Sequence, residues 1–381
     1  MPAAASAQAD RTPVVIDTVT IERGDLFSDE AAEGNPFFSL SNDLHSTTRA
    51  FVVRRELLMQ AGSVYDSLLA AESERNLRRL GLFRSVRVDT GRVNGKLALQ
   101  VRTRDAWSLQ PRATARIASD GTFTGTFGVT ETNVAGTGNR LRLWYVREAD
   151  RDGLNVQAAA NRVASSQIAA NISWLNLSDR DVLRWSVSRP FRSQLDRWSV
   201  FYEGSSFNGR VLQYRRTSPV DLETIEWQRE QLLNRAFVTY APVANARQYL
   251  RVGGSIEVRS EKTIPFGDTP LNPDSLFVAV PDTTRGLVGG FMEYRRARYA
   301  RVGRFNGFPE EDQDLSHLVF VSLKLAPALF GYESTGVGAR ALLASGAEAG
   351  PTILKAVIDG SGLINSAGLD SGTVVGTGTL A

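Results

Sequence analysis

The chain has 381 residues, 42% of them apolar and 22% charged, with a formal net charge of +3 and no cysteine. The missing cysteines exclude a disulfide framework and thiol chemistry. Charges of both signs are interleaved, so there is no basic patch of the kind nucleic acid requires. No run of ~18 apolar residues reads as a transmembrane helix, although a barrel strand needs none because it is apolar on one side only.

Met1 to Asp10 reads MPAAASAQAD. Its Ala7-Gln8-Ala9 matches a secretory cleavage site, without the charged start and apolar core that precede one. Residues 1–9 are expected to be a signal-peptide remnant or a disordered tail. Val14 to Glu22 (VVIDTVTIE) reads as a strand, and a long connection, Gly24 to Ser46, follows. Ala50, Val53, Leu57 and Leu58 then fall on one face of a 3.6-period helix, with Thr48 as candidate N-cap and Gly62 past the end. A second helix has Asp66 as candidate N-cap, with Leu69, Leu77 and Leu80 near one face and Glu72, Glu74, Arg75, Arg78 and Arg79 on the polar side. Gly81 supplies its left-handed cap. Ser85 to Asp89 is a half-buried strand, Val93-Asn94-Gly95-Lys96 a hairpin turn, and Lys96 to Thr103 the returning strand.

The order strand, helix, helix, strand, strand, carried by R-R-E-L-L…G…Y-D…A-E-S-E-R-N-L-R-R-L-G-L-F at Arg54 to Phe83, resembles a POTRA domain. Thr103 to Leu109 (TRDAWSL) resembles the junction with the barrel in the BamA/TamA-type family of outer-membrane proteins, also called the bacterial surface antigen family. The resemblance implies an α+β POTRA domain over 10–106, β-α-α-β-β in order, and an antiparallel transmembrane β-barrel over 107–381. In that family POTRA modules capture unfolded clients by β-augmentation and pass them to the barrel. The client-binding edge here would be Phe83, Arg84, Ser85, Val86, Arg87, Val88 and Asp89.

From Trp107 on, strands alternate. Ile168, Ala170, Ile172 and Trp174 oppose Gln167, Asn171 and Ser173; Leu183, Trp185 and Val187 oppose Arg184, Ser186 and Ser188; Leu141, Leu143 and Tyr145 oppose Arg140, Arg142 and Trp144. One face suits lipid and the other a polar lumen. Trp144, Trp174, Trp185, Trp198, Tyr145, Tyr202 and Phe191 suit an interfacial girdle, or cross-strand packing in a soluble sheet. Asp221 to Leu233 interrupts the pattern as a short helix or a long loop. Ile264 to Arg285 reads as a second loop and Asn306 to Asp314 as an acidic, solvated turn.

This gives about 12–13 strands, fewer than the family's barrel has. The end at Gly378-Thr379-Leu380-Ala381 carries no closing aromatic residue. The family's V/L-R-G-F/Y tetrapeptide has only Arg285-Gly286-Leu287 as a poor match. The chain therefore reads as a copy truncated at its C-terminus.

His45 and His317 stand in unrelated contexts, with no H-E-x-x-H, P-loop or G-x-S-x-G. No enzymatic activity, cofactor or metal is expected. The favoured function is insertion, assembly or translocation of other proteins at the bacterial outer membrane. Its partners would be outer-membrane lipid and unfolded outer-membrane or secreted polypeptides in the periplasm, where the POTRA domain would sit. A structural or passive pore is the first alternative. A soluble β-sandwich, as binding module or glycan-active enzyme, is the second.

Overall fold

The computed structural model describes residues 14–26, 30, 33–36, 46–164, 166–216, 222–265, 282–303, 311–350, 352–366 and 368–380. The possible leader, most of the connection after the first strand and most of the loop between 264 and 285 lie outside them. Apart from the undescribed residues 306–310, the chain divides into a unit ending at Trp107 and a unit starting at Ser108.

The first unit contains β1 (Thr18–Gly24), α1 (Ala50–Arg54), α2 (Ser67–Arg79), β2 (Phe83–Val93) and β3 (Lys96–Asp105). Asn94 (φ 51°) and Gly95 (φ 78°) turn β2 into β3. Positive φ at both central residues is the geometry that matches the twist of a tight hairpin. β3 pairs antiparallel with β2 and parallel with β1, so the sheet order is β1-β3-β2. Ile16, Val52, Val53, Leu77, Val86, Leu99 and Val101 meet in one core.

Several sequence expectations shift. The first strand starts at Thr18, and Val15 makes only an isolated bridge to Val64. α1 is a five-residue helix, so Leu57 and Leu58 lie beyond it. Arg49, not Thr48, holds its N-cap position. Thr48 is buried because it serves a different partner, described below. In α2 the Asp66 carboxylate does cap, accepting from Leu68 N–H at 2.7 Å. Glu72 and Glu74, expected on its solvated side, are buried.

The second unit is built on one large antiparallel sheet with two faces. Its strands are β4 (Leu109–Ile117), β5 (Phe123–Glu131), β6 (Asn139–Arg147), β7 (Asp152–Ala160), β8 (Ala169–Leu177), β9 (Arg180–Arg189), β10 (Trp198–Arg216), β11 (Leu222–Ala244), β12 (Gln248–Pro265), β13 (Thr283–Arg296), β16 (His317–Ala326), β17 (Gly336–Ala349), β18 (Thr352–Asn365) and β19 (Gly368–Leu380). Between β13 and β16 lies a separate hairpin, β14 (Tyr299–Val302) with β15 (Glu311–Asp314). Among the described residues the sheet has 14 strands rather than the expected 12–13, each beside its neighbour in sequence except that β13 pairs with β16 across the inserted hairpin. Residues 222–233, expected as helix or loop, belong to β11. Glu311–Asp314, expected in a solvated turn, is strand β15. Arg285-Gly286-Leu287, the poor match to the family tetrapeptide, lies within β13. Among the described residues no pairing joins β4 to β19.

Register fixes what each face carries. Ile256, Val288, Leu325, Val337 and Ile364 stand opposite one another in turn across five strands, and all are exposed. Leu143, Val156 and Trp174 continue the same face across β6–β8. A continuous exposed apolar surface of this extent has no counterpart on an ordinary soluble domain. The other face is polar. Arg235 joins Glu257 at 2.7 Å and Glu203 at 3.4 Å, an ion-pair ladder over β10, β11 and β12. Arg340 pairs with Asp359 at 2.5 Å. Large rings on this face lie over glycines. A Cβ on Gly128 would stand 2.7 Å from the Trp144 ring, and one on Gly253 would stand 2.4 Å from the Phe291 ring. Only a residue without a side chain lets those rings cover the strand.

Candidate functional site

The candidate site is an edge of the three-stranded sheet. A strand edge presents unpaired N–H and C=O groups that can pair with another chain. The β1 side is partly occupied. Ile16 N–H donates to Ser63 O at 2.9 Å, Gly62 N–H to Ile16 O at 2.8 Å and Tyr65 N–H to Val14 O at 2.8 Å, so residues 62–65 cover the entry to β1. The outer side of β2 has no strand partner among the described residues.

All seven candidate residues fall on β2, in two sets. Phe83, Val86 and Val88 are buried, while Arg84, Ser85, Arg87 and Asp89 are exposed. The pairing with β3 slips between Phe83 and Ser85, a bulge at Arg84. Regular register then runs from Ser85 to Val93. In an antiparallel ladder successive residues aim their backbone groups to opposite sides. Val86, Val88 and Thr90 therefore share one direction.

That direction is set by a contact the sequence did not reveal. Val88 N–H donates to the Glu74 carboxylate at 3.3 Å, so this side of the strand faces away from β3. Glu74 lies on α2, is only 7% exposed, and also forms an ion pair with Arg78 one turn later. The helix packs on the sheet and its acid reaches the sheet's rim. Glu-x-x-x-Arg was visible in the sequence as a helical pair, but the pattern carries no sign that the pair is buried.

A second missed feature holds the end of β3. Asp105 is buried, and its Oδ2 accepts from Thr48 N–H at 2.6 Å and from Thr48 Oγ1 at 2.9 Å. Arg23 donates to Thr48 O at 3.1 Å. Ala106 N–H donates to Leu82 O at 2.8 Å. The aspartate of the Thr103–Leu109 run thus ties the segment before α1 to the last strand. Ser73 does similar work, accepting from Leu58 N–H at 2.9 Å and donating to Leu69 O.

In the second unit, the β14–β15 hairpin folds over residues of β17 and β18. Leu315 is fully buried with Ala300 and Ile353. Gln313 accepts from Lys355 at 2.6 Å, and Asp314 pairs with Arg295. His317 Nδ1 lies 2.8 Å from Ser345 Oγ, and His45 is outside the described residues. Among the described residues no three metal-ligating side chains converge, and no helix is long and apolar enough to cross a membrane.

No protein-family model matches the chain. Over 130 residues it is 26% identical to the outer membrane protein assembly factor BamA of Neorickettsia risticii (strain Illinois), covering 34% of this chain and 18% of that protein. The match thus spans about a fifth of the curated relative. CdiB from Acinetobacter baumannii aligns with TM-score 0.44 and 8% identity over 93% of this chain and 53% of that one. CdiB from Escherichia coli aligns with TM-score 0.42 and 9% identity, over 96% and 71%. BamA from Haemophilus ducreyi lacking POTRA domains 1–3 aligns with TM-score 0.32 and 11% identity, over 95% and 85%. The sequence match supports the resemblance to the BamA/TamA-type family over the third of the chain that it covers.

Proposed function

We propose that this chain is an outer-membrane β-barrel protein that takes part in inserting or translocating other polypeptides. Its first unit is read as a single POTRA domain in the periplasm, capturing extended clients along the outer edge of β2. The observation that carries the reading is the exposed apolar face of the 14-stranded sheet, backed by a face of ion pairs. Such a sheet needs hydrocarbon on one side and water on the other. A soluble sandwich would bury its apolar face against a second sheet instead. The similarity to an assembly factor points the same way. Capture needs no catalysis: backbone groups of β2 supply the affinity, so client sequence preference should be weak. The reading includes no enzymatic step, no cofactor and no nucleic-acid partner.

Fractionation tests the membrane assignment. The full-length natural protein should sediment with outer membranes and stay there through carbonate washing. Recovery in the soluble periplasmic fraction would overturn it.

A further inference from the structure

We propose that Glu74 is a built-in competitor for the edge of β2, so that an incoming strand pairs there only after displacing it. The inference rests on the reading of β2 as the capture edge. β-Addition requires the partner's carbonyl to accept from the outward N–H groups of β2, two residues apart. Val88 N–H is the middle one of Val86, Val88 and Thr90, and Glu74 Oε2 holds it at 3.3 Å. A client therefore gains one hydrogen bond fewer than an open edge offers, and must exclude a carboxylate from the middle of its path.

The acid is placed to leave. Its other oxygen, Oε1, is the one paired with Arg78, so a rotated Glu74 keeps its counter-charge. Losing that partner would leave an uncompensated buried charge, which costs far more. The Val88 contact is also longer than a typical charge-assisted hydrogen bond, which keeps its strength modest. The arrangement leaves the edge available to strands that can offer a full ladder, while side-chain contacts or short segments alone do not open it. It also blunts an edge that would otherwise template self-association, as inward charges do on other sheets.

The test uses the full chain in detergent micelles and a fluorescent ten-residue peptide of alternating Val and Thr. Without peptide, residue-level hydrogen exchange should show Val88 N–H slower than Val86 N–H. In Glu74→Ala the Val88 protection should be lost, while Leu99 and Val101 in the central strand stay protected and report intact folding. The peptide should then bind this variant roughly threefold to tenfold more tightly than the wild type. Glu74→Gln, which keeps the shape and one neutral acceptor, should fall between. Equal exchange of Val86 and Val88 in the wild type would overturn the competitor role, as would unchanged affinity in a folded Glu74→Ala. If the peptide binds neither protein while Val88 is protected in the wild type only, the contact stands but β2 is not the capture edge.

Discussion

Arginine at Ile172 should destabilise the folded sheet in lipid vesicles by about 2–4 kcal/mol, the cost of a cation at mid-depth on a barrel's lipid face. Ile172 lies in the middle of β8 and is 49% exposed, opposite Ala158 and Trp185 on the apolar face. The matched control is Ser186→Arg. Ser186 is on β9, one position from Trp185, and stands opposite Asn171 and Glu203 on the polar face. There the guanidinium meets an acid and water, so the change should be within about 0.5 kcal/mol of wild type. Urea titration of both variants in the same vesicles reads the contrast. Equal effects would mean the two faces see the same medium.

The second large effect belongs to Asp105. Asp105→Ala removes the acceptor of two buried donors, the N–H and O–H of Thr48. Each orphaned donor costs about 1–3 kcal/mol, so the loss should reach about 2–6 kcal/mol, a large share of a small unit's stability. Limited proteolysis of the full chain should then cut the segment before α1 rapidly while the large sheet stays protected. The same interaction sets the boundary of any isolated fragment. A fragment of residues 10–107 should be soluble and mixed α/β by circular dichroism, whereas one stopping at Arg104 lacks Asp105 and should melt well below it. Equal melting temperatures for the two fragments would remove Asp105 from its anchoring role.

Where one physical demand shapes a segment, the sequence was readable. α2 has a side-chain cap at Asp66 and an αL glycine at Gly81, and both act as their chemistry suggests. The hairpin of β2 and β3 carries Asn-Gly at its turn. β6, β8 and β9 alternate because one face must stay apolar at every second residue. β11 was hidden for the converse reason. At 23 residues it is about twice as long as the 9–11 residues that cross a bilayer. On the proposed bilayer-spanning reading, water lies on both sides beyond that band, so Glu226, Gln228 and Glu230 are tolerated where lipid would require apolar residues. The buried acids were hidden too. Glu74 and Asp105 look like surface charges until the fold supplies an arginine, a strand rim or a threonine around them. Of the candidate site, the strand itself was legible from its alternation. Its edge position and its occupant depend on the order β1-β3-β2, which no local pattern encodes.

The claim that the large sheet spans a bilayer is tested most directly by its own tryptophans. Trp185 and Trp174 lie on the apolar face, opposite Ile172 and Val156. Trp144 lies on the polar face, between Arg112 and Arg142 at 4.8 and 4.2 Å from its ring. Single-tryptophan variants, with the other tryptophans changed to phenylalanine, should be reconstituted in vesicles of lipids brominated along their chains. Trp185 and Trp174 fluorescence should be strongly quenched relative to unbrominated vesicles, and Trp144 fluorescence should be nearly unchanged. Equal quenching of all three, or none at Trp185, would contradict a sheet with one face in lipid.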